Sequence, residues 1–585
     1  MNVDETQRKL ARWAAQRREN LNMGLFASRK DLRLHDLYHL LYDPEWLFEA
    51  YHNIRSNAGS KTAGCDGINF YAFEQRLEEN LRSLADELKR GSFEPYPVRR
   101  VYIPKANGKL RPLGIPSVRD RIVQEALRMV LEPIFEGEFH RHSYGFRPNR
   151  STKDALHHIG RIGNESSGYR WVIEGDIKAY FDTINHRILL SLLRRRIRDE
   201  KLLHLVWLFL RAGVMENKLF KPTEEGTPQG GIISPLLANV FLHELDMFMS
   251  RWTDLTARQK LKRRERGVSN FMHIRYADDF VVMTNGTKRD AEAMRDRIKH
   301  FLTDTLKLTL SVEKTKITHI NDGFRFLGFD VERSTSGKGK LYIKLLIPAE
   351  TVRNARAKIN RITSPTQTGD SVHAKFAALN AFLRGWANHF HHGYNRWPVF
   401  DTLDSLAYCQ LVRWLARKFQ CKCAAIMHRQ RWVVDGRKTL GYGGRYLWHM
   451  NWLPRKWLRG RKIPNAYEQP DSPLVREASP LTAYSWTGYE VRPGSMDARE
   501  ACLVRDGLSC AHCGRRLRRS EAFVDHIRPV RHYSTPEGAT FDGNLQTLCR
   551  PCHSAKGKID RRMESRVQGN LHARFGEGGV GNVPN

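Results

Sequence analysis

Asp278 and Asp279 stand side by side between two short apolar runs, Ile274–Tyr276 and Phe280–Met283. In one straight strand, adjacent side chains point to opposite faces. Two neighbouring acids can therefore share a ligand only at a turn. The pattern predicts paired strands over those two runs, with both acids at the hairpin tip. Carboxylates held together repel, and a hard cation is their natural partner. Mg²⁺ typically takes one or two carboxylates plus substrate phosphates. An isolated Asp-Asp pair is more often a solvated turn, so its weight depends on what the rest of the chain brings to it. A third acid, Asp176, closes the run Trp171–Gly175, where a core strand is expected to end. Three acids on one α/β unit make a two-metal phosphoryl-transfer site, one metal activating a hydroxyl and the other stabilising the leaving oxygen.

A second chemistry lies near the C-terminus. Cys510-x-x-Cys513 and Cys549-x-x-Cys552 have the spacing of a four-thiolate structural Zn²⁺ site. Asp525, His526, Asn544 and His553 lie between and beside the two pairs. A neutral histidine beside a phosphodiester can activate water. An acid and a second histidine can hold one divalent ion, Mg²⁺ or Mn²⁺, against the scissile phosphate. The alternative is a zinc ribbon that binds nucleic acid without cutting it. Cys421 and Cys423 have no second ligand pair nearby and are expected to be ordinary thiols.

The elements that must position these residues are legible in outline. Val98–Lys105 and Leu110–Pro116 flank an Asn107-Gly108 turn and predict a hairpin carrying Lys105, Lys109 and Arg111, suited to phosphate clamping. Ser117–Phe135 reads as a helix. The loop His142–Ser151 interleaves aromatics with Arg147 and Arg150, which suggests base stacking with phosphate contact. Phe181 follows Asp176 by five residues, and plain core packing would explain it. Gly226-Thr227-Pro228-Gln229-Gly230-Gly231 precedes a helix with the stripe Leu236, Leu237, Val240, Phe241 and Leu245; its glycines permit close approach of a phosphate or base. Arg258–Arg266 is expected to be an exposed insertion, Ala291–Leu306 a helix, and Leu310–Lys316 and Phe324–Phe329 further strands. From 348 to 420 the period is helical, with apolar stripes Phe376, Leu379, Phe382, Leu383, Trp386, Phe390 and Leu403, Leu406, Ala407, Leu411, Trp414, Leu415.

The 585 residues carry 97 Lys+Arg against 63 Asp+Glu, a net charge of +34, which points to a polyanionic partner. A hydrophobic content of 41% excludes wholesale disorder. No apolar run is long enough to span a membrane, and the first residues lack the apolar core of an export signal.

Six blocks in order resemble the reverse transcriptases encoded by group II introns: the Ile103–Pro116 hairpin, Ser143–Pro148, Gly175–Asp182, Gly226–Gly231, Tyr276–Asp279 and Phe326–Phe329. The resemblance implies a multidomain α/β and α chain: a right-hand polymerase with fingers and an α+β palm sheet, a helical thumb and maturase domain, and a small zinc-containing ββα-metal domain. It implies metal binding by Asp176, Asp278 and Asp279. It puts the incoming deoxynucleoside triphosphate near Lys105, Arg111, Gln229 and Lys314, and makes Phe181 a steric gate against a ribose 2′-OH. Val524–Ile527, Asn544–Gln546 and Leu548–His553 resemble the HNH nucleases, which implies that His526 is the general base, Asp525 and His553 bind the catalytic ion, and Asn544 orients the His526 loop.

The expected domains are a basic helical extension over 1–90, fingers and palm over 91–345, thumb and maturase over 346–430, a basic DNA-binding region and linker over 431–495, the HNH domain over 496–562 and a disordered tail over 563–585. The expected activities are RNA-directed DNA synthesis, maturase binding of intron RNA, and nicking of the double-stranded DNA target strand that primes synthesis. The expected setting is the bacterial cytoplasm, beside the nucleoid, with an organelle less favoured. Two alternatives stay open: a reverse transcriptase of another retroelement or defence system, and a splicing-only maturase with decayed enzyme sites.

Overall fold

The computed structural model describes residues 2–22, 34–55, 57, 59, 62–104, 110–164, 168–216, 219–221, 225–227, 230–311, 313–337, 339–434, 436–454, 463, 465–469, 510, 513, 515, 523–526, 545–549 and 551–552. The chain divides into two compact units, Met1–Gly488 and Tyr489–Asn585.

Alternation along β-rich segments builds the sheet at the centre of the first unit. Its four strands lie in the order Phe271–Tyr276, Asp279–Thr284, Trp171–Gly175, Lys316–His319, and all neighbours are antiparallel. Successive side chains leave on opposite faces, and here both faces are buried. Phe280, Val282 and Ile173 enter one core with the helices, while Val281, Met283, Val172 and Ile274 enter a second core. The predicted Asp-Asp hairpin therefore forms, with Asp279 as the first residue of its second strand, opposite Tyr276. Glycine permits one close contact across this sheet: a Cβ on Gly175 would lie 2.1 Å from the Phe280 ring.

The first core is closed by helices Pro44–Arg55 and Leu77–Arg90 from the N-terminal region, by Val118–Glu136, and by Ser234–Thr253. Ser117 caps the Val118–Glu136 helix by accepting the Asp120 amide at 3.2 Å. Pro235 starts the Ser234–Thr253 helix, and its predicted stripe is buried throughout. The basic hairpin forms as Val98–Pro104 against Leu110–Ile115. The basic segment near residue 260 becomes the helix Ala257–Glu265, which buries none of its residues.

Two strand expectations need correction. Leu310–Lys316 is not a strand: Leu310 makes one isolated bridge to Ile177, and the strand begins only at Lys316. Phe324–Phe329 is not one strand but a hairpin, Phe324–Phe326 against Phe329–Thr335. Its two-residue turn has positive φ at both Leu327 (47°) and Gly328 (84°), the backbone sign pattern that lets a tight turn follow strand twist.

The second core continues from the sheet into helices Ala349–Ile362, Val372–Phe390 and Arg396–Lys418. Most of the two predicted stripes is buried there, with Phe382, Trp386 and Leu406 half-buried. The aromatic and basic stretch that follows forms strands Arg431–Val434, Arg437–Tyr442 and Arg445–Tyr446. Leu440, Leu447 and Met450 join the same core as those helices. No helix among the described residues is long and apolar enough to cross a membrane.

In the second unit, Phe523–His526 pairs antiparallel with Leu545–Leu548.

Candidate functional site

The Asp-Asp hairpin turns through Ala277 and Asp278. Only the first of these has positive φ, 59° at Ala277, a conformation that alanine rarely adopts. Surrounding contacts hold it there. Arg275 donates to the Ala277 carbonyl at 2.9 Å and makes a two-pronged ion pair with Asp246, at 2.8 and 2.6 Å. Both charged side chains are 0% exposed. Arg275 also donates to Asn239, which in turn donates to the Gly145 carbonyl at 2.8 Å. A Cβ on Gly145 would sit 2.2 Å from the Ala277 nitrogen, so the glycine lets that loop press against the turn.

The register of the sheet brings the third acid to the tip. Gly175 pairs with Phe280, and Asp176 follows at the strand end, where its charge reaches both Asp278 and Asp279. On its other side Asp176 accepts a hydrogen bond from Lys314 Nζ at 2.9 Å. Contact with Asp176 raises the Lys314 ammonium above its ordinary range. Burial raises the Asp278 carboxyl, with Asp176 adding to the shift and Arg111 and Lys314 opposing it. Burial, then Asp278 and Asp176, push Asp279 up to about 6. This is a set of oxygen ligands whose mutual repulsion Lys314 relieves in part, and it fits a hard divalent cation.

Arg111 lies on the second strand of the basic hairpin, opposite Ile103, and its charge reaches Asp278. Phe181 is buried and meets Phe146 edge to face at 6.3 Å. Both rings lie beside Tyr180, Ala277 and Asp278. Gly226 and Thr227 are tied to Ile184 and Phe181 by amide hydrogen bonds of 2.9 and 2.7 Å. Gly230 has φ 118°, and a Cβ there would meet the Gly114 carbonyl at 2.3 Å. The glycine loop thus packs on the basic hairpin. Lys105, Lys109 and Gln229 lie outside the described residues.

The His142–Ser151 loop does not offer its arginines outward as the interleaving suggested. Arg147 is buried in an ion pair with Glu136 at 2.8 Å and bonds the His140 and Ser143 carbonyls. Arg150 lies over the Tyr144 ring and bonds the Arg141 carbonyl. Arg275, Asp246 and Asn239 escaped sequence reasoning. Their signal was an Asn and an Asp two turns apart on an apolar helix, and an Arg inside an apolar strand.

In the second unit, Cys510, Cys513, Cys549 and Cys552 place their sulfurs within 4.8 Å of one another, and Cys513 and Cys549 approach to 3.7 Å. Contact with Cys549 and burial push the Cys552 thiol up to about 12. Four soft ligands at this spacing suit a tetrahedral zinc-type ion. Asp525 and His526 lie on the Phe523–His526 strand, opposite Gln546 and Leu545. Asn544 and His553 lie outside the described residues.

Comparison with known proteins covers both units. The chain matches the reverse transcriptase (RNA-dependent DNA polymerase) family model over residues 103–331, the group II intron maturase-specific domain over 352–432 and the HNH endonuclease family over 510–558. It is similar to Protein YkfC of Escherichia coli (strain K12), 43% identical across 62% of this chain and 97% of that protein. It is also similar to the group II intron-encoded protein LtrA of Lactococcus lactis subsp. cremoris, 36% identical across 64% of this chain and 72% of that protein. Nuclear intron maturase 2, mitochondrial, of Arabidopsis thaliana is 28% identical across 36% of this chain and 37% of its own length.

Proposed function

This chain belongs to the group II intron-encoded proteins, and from that premise we propose how its residues divide the work. It is a multifunctional protein with reverse transcriptase, maturase and HNH endonuclease domains. The single observation that carries the polymerase reading is the nearness of Asp176 to the Asp278–Asp279 tip, where its charge raises both carboxyls, with Lys314 bonded to Asp176 at 2.9 Å.

In our reading the sheet at residues 171–319 is the palm, the Val98–Ile115 hairpin belongs to the fingers, and the helices from Ala349 to Lys418 are the thumb. Asp176, Asp278 and Asp279 hold two Mg²⁺ ions. When bound, these supply activation of the primer hydroxyl and charge stabilisation at the transferring phosphate. Arg111 and Lys105 clamp the triphosphate, and a guanidinium suits that task through its fixed fork of donors. Lys314 orients Asp176 through their hydrogen bond. Phe181, wedged against Phe146, presents a fixed wall at the sugar and so excludes a 2′-OH. Gln229 contacts the nucleotide.

The cysteine cluster holds a structural Zn²⁺ that organises the HNH domain. There His526 acts as general base, Asp525 and His553 hold a divalent ion, and Asn544 orients the His526 loop. This domain nicks the DNA strand whose 3′ end primes synthesis on intron RNA. The maturase domain binds the same RNA for splicing, which fits the net charge of +34.

A primer-extension assay on an RNA template tests the polymerase reading. Purified protein should extend a DNA primer with deoxynucleotides in Mg²⁺ and stop when the metal is chelated. Extension that survives chelation would refute the metal role of the three acids.

A further inference from the structure

A second group of metal-type ligands lies in the first unit, away from the three acids. His140 and His142 are both buried, and Asp254 caps the C-terminal end of the Ser234–Thr253 helix with its side chain 38% exposed. One ligand atom from each of the three lies within 4.8 Å of the others. His140 Nε2 is 2.9 Å from Asp254 Oδ2. Arg141 holds the other carboxylate oxygen at 2.8 Å, so Oδ2 stays aimed at the histidines. The His142 residue is 7% exposed, yet its Nδ1 has no hydrogen-bond partner. Its ring packs edge to face on His140 at 4.9 Å and on His158 at 4.2 Å. The phenolic oxygen of Tyr144 meets His158 Nδ1 at 3.0 Å, leaving His158 Nε2 buried and also without a partner.

We propose that His140, His142 and Asp254 form a binding site for a zinc-type divalent transition ion. Two imidazoles and one carboxylate are the ligand set of Zn²⁺ and its neighbours rather than of Mg²⁺. Tetrahedral ligands at bonds of about 2.0–2.1 Å stand roughly 3.4 Å apart, so His140 and Asp254, now 2.9 Å apart, would open slightly to admit the ion while the wider separations, within 4.8 Å, would close on it. The His142 amide donates to His140 Nδ1 at 3.3 Å. An ion on His140 Nε2 would need the ring proton on Nδ1, and that long contact would be given up.

The site would act as a clip. The His142 carbonyl accepts the Arg275 amide at 3.0 Å, and Arg275 holds the Asp-Asp turn. An ion here would fasten the loop along that strand to the end of the helix that supplies Asp246.

The test uses full-length protein stripped by chelator and reloaded with Zn²⁺, or with Co²⁺ as a spectroscopic probe. Wild type should retain one more equivalent of zinc per chain than the His140→Ala/His142→Ala variant. With Co²⁺, a Cys510→Ser/Cys513→Ser protein should keep an intense tetrahedral band without thiolate charge transfer, and the histidine substitutions should remove it. Asp254→Asn keeps a hydrogen-bond acceptor at an exposed position and should weaken Co²⁺ binding by at least about tenfold. This arm decides the matter if the histidine variant fails to fold. Equal zinc in wild type and histidine variant, or unchanged Co²⁺ affinity in Asp254→Asn, would overturn the site.

Discussion

Asp120, Asp404 and Asp279 are all held above the ordinary carboxylate range, and the causes separate them. Asp120 is pushed up to about 7 and Asp404 to about 6, chiefly by burial, while each accepts backbone amides: Tyr96 for Asp120, and Met450 and Asn451 for Asp404. They serve structure. Asp279 is raised to about 6 by burial plus two neighbouring acids, and only that arrangement asks for a cation. The difference gives a prediction for Asp120, whose Oδ1 is buried without a hydrogen-bond partner. Its folded pKa, about 7, stands above the ordinary 3.8. The folded state therefore holds a proton that the unfolded chain releases between those values, and stability falls as pH rises through that window. Asp120→Asn removes this dependence. Its melting temperature relative to wild type should climb between pH 4 and pH 8, and a constant offset would contradict the account. At this scale the sequence was informative about chemistry and poor about direction. Asp176, Asp278 and Asp279 declare themselves by type and place. Arg147 faces inward to Glu136, which its neighbours in sequence could not reveal because Glu136 belongs to the preceding helix.

At the scale of elements, the Asp-Asp hairpin depends on a helix some 30 residues upstream. Asp246 and Arg275 satisfy one another without water, and Arg275 then grips the turn through the Ala277 carbonyl. Removing one partner leaves a buried charge uncompensated, at a cost of about 3–5 kcal/mol. Asp246→Ala should lower stability by that order in denaturant unfolding and abolish primer extension with it. A loss within about 0.5 kcal/mol, typical of an exposed surface change, would show that the pair does not hold the turn. The hairpin itself was legible because two apolar runs flank two acids. The Phe324–Phe329 segment was misread because Leu327 takes a positive φ that its residue type does not announce. The Arg275–Asp246–Asn239 network was not legible, since only the packing of helix on sheet brings those residues together.

At the scale of the molecule, three activities share one chain. The domain order followed from motif order, and both cores follow from apolar stripes that the sequence displays. The path of Arg431–Val434, Arg437–Tyr442 and Arg445–Tyr446 as strands on the helical core was hidden, because the apolar runs there are short and Arg431, Arg437, Lys438 and Arg445 give the stretch the look of a basic surface. The two compact units predict separable function. Cys510→Ser should release the zinc-type ion and abolish DNA nicking, while primer extension on a supplied primer stays within about twofold of wild type. His526→Ala should abolish nicking with the metal retained. Loss of extension in either variant, measured on the same preparations, would contradict independent units.

We propose that the acids at the hairpin tip make DNA and that RNA binding does not need them. The direct measurement compares wild type with Asp278→Ala in two assays on one preparation: primer extension on an RNA template, and splicing of the cognate intron at matched protein concentration. Extension should fall below detection while splicing stays within about twofold of wild type. Extension that persists in Asp278→Ala, or splicing lost in parallel with it, would contradict the account.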